Sequence, residues 1–252
     1  MTHRLHRPAL LAALALAGVL GGCGSGKARL PTRGLAPPTT ATQTTTTATH
    51  PAAAPPALGG PSTCVRAAKP KPRPPQHVPK PTLRLDPARA WFATVATSCG
   101  DFVITLDVKA APKTAASFAY LARRGFYNGL TFHRIVPGFV IQGGDPAGNG
   151  SGGPGYKVVE APPKSLRYVK DVVAMAKTEI EDPGTSGSQF FVVTGPDAQL
   201  PADYALVGRV TSGIAAVDRI ATQPTNQSSP DPALREQPAQ PVVIRRVTVG
   251  RR

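Results

Sequence analysis

From Trp91 onward the chain alternates short apolar runs with breaks rich in glycine, proline and aspartate. Residues 91–97 and 102–107 are β-branched and aromatic runs flanking Cys99-Gly100-Asp101, a pattern that predicts a β-hairpin. Six further runs follow, at 131–136, 139–142, 172–176, 189–194, 205–210 and 242–249. Two stretches carry helical spacing instead. In 112–124, Ala115, Phe118 and Leu121-Ala122 fall on one face, Pro112 suits the first turn and Gly125 suits a C-terminal cap. Residues 214–220, preceded by Ser212-Gly213, form the second. Eight short strands, two helices and no regular strand–helix alternation predict a mainly β fold: a closed eight-stranded antiparallel barrel capped by two α-helices. Residues 222–240 read as a polar loop before the last strand.

The first ninety residues lack this patterning. They hold 12 Lys/Arg against a single acid, whereas residues 91–252 hold 17 against 13, so about +11 of the net charge of +15 lies outside the patterned region. The basic residues are spread singly through proline, as in Lys69-Pro70-Lys71-Pro72-Arg73-Pro74-Pro75. A nucleic-acid binder concentrates such charge on one face with readout residues beside it, so no nucleic-acid partner is expected. Sequence of this kind favours polyproline II and buries little apolar surface. Residues 23–87, including the threonine-rich tract, are therefore expected to be a disordered spacer, and 88–252 a self-sufficient domain.

The extreme N-terminus has the form of an export signal. Arg4 and Arg7 precede an apolar core from Ala9 to Leu20, shorter than the roughly 20 residues a membrane span requires. The core runs into Leu20-Gly21-Gly22-Cys23, which resembles a bacterial lipobox. That resemblance implies a signal peptide at 1–22, a diacylated Cys23 and a lipoprotein on the outer face of the cell membrane; an ordinary signal peptide is the alternative. Export permits a disulfide. A bond between Cys64 and Cys99 would close a loop of about 36 residues, worth on the order of 3–4 kcal/mol; two unpaired thiols are the other possibility.

Two segments carry the chemistry. Residues 127–145 read YNGLTFHRIVPGFVIQGGD and residues 186–193 read SGSQFFVV, with Val173-Ala174-Met175-Ala176 and Leu200 to Tyr204 in colinear order. Together they strongly resemble the cyclophilin-type peptidyl-prolyl cis-trans isomerases over about residues 90–250. The resemblance implies catalysis by Arg134 with Phe139 and Gln142. It implies a proline pocket lined by Phe139, Val140, Phe191 and Leu200 with Tyr204 at its rim. Gln142 would orient Arg134 and contact substrate, and Gly150, Gln189 and the backbone of Ala176 and Lys177 would hold the residue before proline. Substrates would be proline-containing unfolded or flexible exported polypeptides.

The reaction explains those residue types. Rotation about an X-Pro bond meets a barrier of about 18–20 kcal/mol from amide resonance. The twisted state gives the prolyl nitrogen a lone pair that a fixed guanidinium stabilises more than the planar amide. No cofactor or metal is called for, and monomer is the default expectation. His133 has no second ligand at metal spacing and is read as a buried, hydrogen-bonded ring; Asp145 and Glu160 are too isolated to pair as acid and base. Gly150-Ser151-Gly152-Gly153-Pro154-Gly155 matches a dinucleotide fingerprint but leads toward a strand rather than a helix. Departures from the family pattern include Gln199 where many eukaryotic members have Trp, Lys177 where Asn is common and Asp171 where Gly is usual. A non-catalytic proline-peptide binding module or holdase at the cell surface is the alternative function.

Overall fold

The computed structural model describes residues 58–252, and there the apolar runs become β1 (Trp91–Thr97), β2 (Gly100–Leu106), β3 (Leu130–Val136), β4 (Val140–Gly143), β5 (Val158–Val159), β6 (Val172–Met175), β7 (Thr185–Ser186), β8 (Phe190–Val193), β9 (Leu206–Ser212) and β10 (Val242–Arg251). Eight of them close a barrel in the order β1-β10-β3-β4-β8-β6-β9-β2, every pair antiparallel. β5 and β7 form a separate two-stranded ladder that the polar sequence around 185 did not announce. The hairpin between β1 and β2 is tighter than expected. Thr97 pairs with Gly100, leaving Ser98-Cys99 as the loop, and Gly100 takes a φ of 108° that disfavours a side chain.

Alternation along the strands builds two cores from one sheet. Ile141 of β4, Val173 and Met175 of β6 and Phe190 and Val192 of β8 face the barrel interior, with Phe102, Phe118, Phe132 and Tyr127. Their neighbours Val140, Val172, Ala174, Phe191 and Val193 face outward into a second apolar cluster with Tyr168 and Leu206. With both faces covered, β6 and β8 are apolar at every position rather than at every other one, and β4 becomes polar only at Gln142. The outer cluster is where a ligand could reach.

Helix α1 (Pro112–Arg123) starts without a side-chain cap of its own. The Glu160 carboxylate supplies one from a distance, accepting the amides of Lys113 (3.0 Å) and Thr114 (2.7 Å). Its C-terminus is a Schellman turn: Phe126 N–H reaches Leu121 O, Gly125 N–H reaches Ala122 O, and Gly125 sits at φ 68°. Helix α2 (Ile214–Ala221) presses Val217, Ile220 and Ala221 into the same interior cluster as α1.

The expected spacer needs correction where it is described. Residues 58–87 are not a loose extension, because from Pro61 onward they lie along the domain as a strap. From Pro61 to Gln76 every third residue turns inward, at 61, 64, 67, 70, 73 and 76, which is the repeat of a polyproline II ribbon. Cys64 is joined to Cys99, with Sγ–Sγ 2.09 Å, and Val65 N–H donates to Ser98 O at 2.7 Å. The Arg73 guanidinium is bound by the carbonyls of Phe126 and Asn128, and burial lowers its pKa from the ordinary arginine range. Leu85 is buried in the interior cluster, and the Trp91 indole donates to Asp86 O. The composition did not predict a bound ribbon, because the inward contacts are made by main chain, one cysteine, one arginine and a few scattered apolar side chains, Val78, Leu83 and Leu85. Residues 1–57, with Cys23 and the proposed signal peptide, lie outside the described residues.

Candidate active site

Arg134 owes its direction to an irregularity in β3. Phe132 pairs with Gly143 and Arg134 with Gln142, so β3 advances two residues while β4 advances one. His133 is the extra residue of a β-bulge. Phe132 and Ile135 therefore both face the interior, three residues apart, and Arg134 is turned to stand opposite Gln142 on the outer side. Its guanidinium carbon lies 5.9 Å from the centre of the Phe139 ring, within cation–π range.

The outer apolar cluster gathers the predicted pocket residues Phe139, Val140, Phe191, Leu200 and Tyr204, together with Ala176. The Phe191 and Tyr204 rings meet edge to face at 5.5 Å. Tyr168, which sequence reasoning missed, packs against both rings and bonds to the backbone of Tyr204. Its position in a polar stretch gave no sign of this role. Lys177 Nζ stands 5.5 Å over the Tyr204 ring.

Beside the pocket runs a groove lined by Gln142, Gly150, Ala176, Lys177 and Gln189. The Gln189 side chain ties its walls together. Its Nε2 donates to Gly150 O (2.8 Å) and Gly152 O (2.9 Å), and its Oε1 accepts from Gln142 Nε2 (3.0 Å). Asp145 organises the same glycine loop, its carboxylate accepting the amides of Ala147, Asn149 and Gly150. One expected donor is already committed: Ala176 N–H bonds to Gln189 O at 2.8 Å.

Two expectations change. Gln142 does not orient Arg134, since its amide is turned to Gln189. The group on Arg134 is Glu236, whose Oε2 accepts from Nε at 2.5 Å. Glu236 lies in the polar loop, where no pattern in the sequence singled it out. His133 is buried as expected, but its Nδ1 has no hydrogen-bond partner among the described residues. Burial lowers its pKa below 6.5; the Asp145 carboxylate pulls it up and the Arg134 guanidinium pushes it down.

Comparison with known proteins places the barrel in a family. The family described as "Cyclophilin type peptidyl-prolyl cis-trans isomerase/CLD" matches residues 92–249. Peptidyl-prolyl cis-trans isomerase B of Streptomyces anulatus is 38% identical over 183 residues, covering 66% of this chain and 99% of that protein. Peptidyl-prolyl cis-trans isomerase-like 1 of Homo sapiens is 44% identical over 134 residues, covering 52% and 79%. A crystal structure of a Cryptosporidium parvum cyclophilin type isomerase in the presence of the dipeptide Ala-Pro superposes with a TM-score of 0.56 at 28% identity, covering 63% of this chain and 98% of that one. With the barrel, the outward arginine and the pocket in place, the chain belongs to the cyclophilin-type peptidyl-prolyl cis-trans isomerase family and is an enzyme of that class.

Proposed function

We propose that this isomerase accelerates X-Pro rotation in exported proteins by holding the prolyl ring against Phe139, Val140, Phe191 and Leu200 while Arg134 stabilises the pyramidal nitrogen. The observation that carries the reading is the bulge at His133, which sets the guanidinium beside Phe139 at the edge of the outer apolar cluster. With Nε held by Glu236, the terminal guanidinium nitrogens, which carry no hydrogen bond to other described residues, are the donors left for substrate. Uncatalysed exchange takes tens to hundreds of seconds. A turnover of about 10³ s⁻¹ would remove roughly 7 kcal/mol from the barrier, of which one fixed donor in a partly dry site supplies about 3–4 kcal/mol. The Gln142–Gln189–glycine-loop network holds the peptide flanking the proline while its carbonyl swings.

The test is a proline-isomerisation assay of wild type against Arg134→Ala, with peptide binding measured alongside. Loss of turnover with binding kept supports the arginine mechanism. Equal rates for both proteins would overturn it, and near-background rates for both would instead favour a peptide-binding module or holdase. An Ala-Pro dipeptide, present with the Cryptosporidium parvum relative, is a suitable minimal probe for the pocket.

The same proposal puts the enzyme at the outer face of the cell membrane through lipid on Cys23. The apolar 9–20 segment and Leu20-Gly21-Gly22-Cys23 support it. Among the described residues no helix is long and apolar enough to cross a membrane. Detergent-phase partitioning tests the anchor: wild type enters the detergent phase and Cys23→Ser stays in the aqueous phase. Wild type remaining aqueous would sink the anchor.

A further inference from the structure

The barrel leaves a gap beside its arginine, and one loop residue fills it. β10 pairs with β3 only through Val242–Phe132, Val243–Thr131 and Ile244–Leu130, so the strand edge at 134–136 has no β10 partner. Glu236 takes that place twice. Its carbonyl accepts Ile135 N–H at 2.8 Å, and its carboxylate takes Arg134 Nε at 2.5 Å. Backbone and side chain of one residue therefore grip consecutive residues of β3.

The loop that presents Glu236 is braced. Asn226 N–H donates to Gln237 O, Ala239 N–H to Pro224 O, and Arg235 Nε to Ser229 O, while Asp231 caps the 3-10 turn Pro232–Leu234. An ion pair between freely moving side chains contributes little, because ordering both offsets the attraction. Here the carboxylate is carried on a backbone already hydrogen-bonded to β3, so that ordering cost is largely removed. The pair also binds Nε, the one guanidinium nitrogen whose engagement fixes the plane of the group while sparing both terminal nitrogens.

Resting on the arginine mechanism proposed above, we infer that Glu236 is a positioning residue for isomerisation, fixing the Arg134 guanidinium in its transition-state orientation from the 222–240 loop. Its effect falls on turnover rather than on ground-state binding, because the planar amide makes less use of the oriented donor than the twisted one.

Wild type, Glu236→Gln, Glu236→Asp, Arg134→Ala and the double variant Arg134→Ala/Glu236→Gln are compared for kcat and KM separately. The Arg134 Nε–H resonance is followed by NMR, with thermal midpoints as a check on folding. Glu236→Gln is expected to lower kcat about three- to tenfold with KM within about twofold. It should also broaden or shift the Nε–H signal and leave the thermal midpoint unchanged. Glu236→Asp is expected to fall between Gln and wild type, and the Gln substitution to add nothing once Arg134 is gone. Wild-type kcat in Glu236→Gln while Arg134→Ala is inactive would overturn the inference and leave the arginine mechanism standing. A full Glu236→Gln effect persisting in the Arg134→Ala background would also overturn it. Wild-type activity in Arg134→Ala would be a failure of the arginine mechanism itself.

Discussion

The Tyr168 hydroxyl is hydrogen-bonded twice to the main chain of Tyr204, donating to its carbonyl at 2.6 Å and accepting from its amide at 2.9 Å. Burial pushes the phenol up to about 12, so it stays protonated and keeps its donor across the working pH range. The rim of the pocket is thus held by a residue that lies 36 positions away in the chain.

Tyr168→Phe removes that clamp and leaves a carbonyl and an amide without their partner. The expected cost is about 1–3 kcal/mol of stability. KM for a proline peptide should rise more than kcat falls, because the substitution loosens the pocket wall and not the arginine. Denaturant unfolding and steady-state isomerisation kinetics read the two effects.

A domain cut at residue 88 loses the strap and Cys64. The crosslink spans 35 positions, and losing a loop of that size costs about 3–4 kcal/mol in the chain-entropy reckoning. Losing the buried Leu85 side chain adds about 1.5–3 kcal/mol. The 88–252 fragment should therefore melt about 10–30 °C below 58–252, taking 2–4 °C per kcal/mol for a domain of this size. Reductant should lower the midpoint of 58–252 but leave that of 88–252 unmoved. Equal midpoints for the two fragments would show the strap to be energetically idle.

Asp171 sits at φ 71°, in the left-handed region, with its amide bonded to Val193 O and its carbonyl to Val210 N–H. Those two bonds hold the start of β6 between β8 and β9 and do not let the backbone relax. One carboxylate oxygen is buried without a partner, and burial raises the pKa of the group. Asp171→Gly relieves both the side chain's strain and its desolvation, against some loss of chain stiffness. The expected net gain is about 1 kcal/mol in urea unfolding. A loss of stability would show that the aspartate makes a compensating interaction.

His133 makes stability depend on pH with a definite sign. Its folded pKa lies below the unfolded value, so the unfolded chain binds the proton first as pH falls. Stability should therefore decline as pH drops below about 6.5, flattening once the folded ring is also protonated. His133→Gln should reduce that slope between about pH 6.5 and 5. An unchanged slope would place the sensitivity elsewhere. Because the proposed mechanism moves no proton, kcat should stay nearly flat over the neutral range.

The strands and helices were legible because burial imposes period two or period 3.6 on the residues that make them. Phe190 and Phe191 show the limit of that reading. Adjacent aromatics read simply as apolar, and only the barrel assigns one to the interior and the other to the outer apolar cluster. Arg134 could be picked out because it sits in a long motif, but the bulge that aims it is a register slip, which a single strand cannot display. Glu236 and Tyr168 were invisible for a different reason. Each acts through contacts to a distant stretch of chain, and an isolated polar residue in a polar segment carries no period.

The disulfide also decides how the domain answers to pulling. Residues 1–57 enter the described region just before Cys64, and tension along them would otherwise be borne by the strap, peeling it from the Phe126 and Asn128 carbonyls that hold Arg73. With Cys64 bonded to Cys99, that load passes directly into the β1–β2 hairpin, and residues 65–87 carry none of it. The glycine loop, to which the strap is bonded at Pro146 and Pro154, is thereby mechanically isolated from whatever tugs on the N-terminal chain.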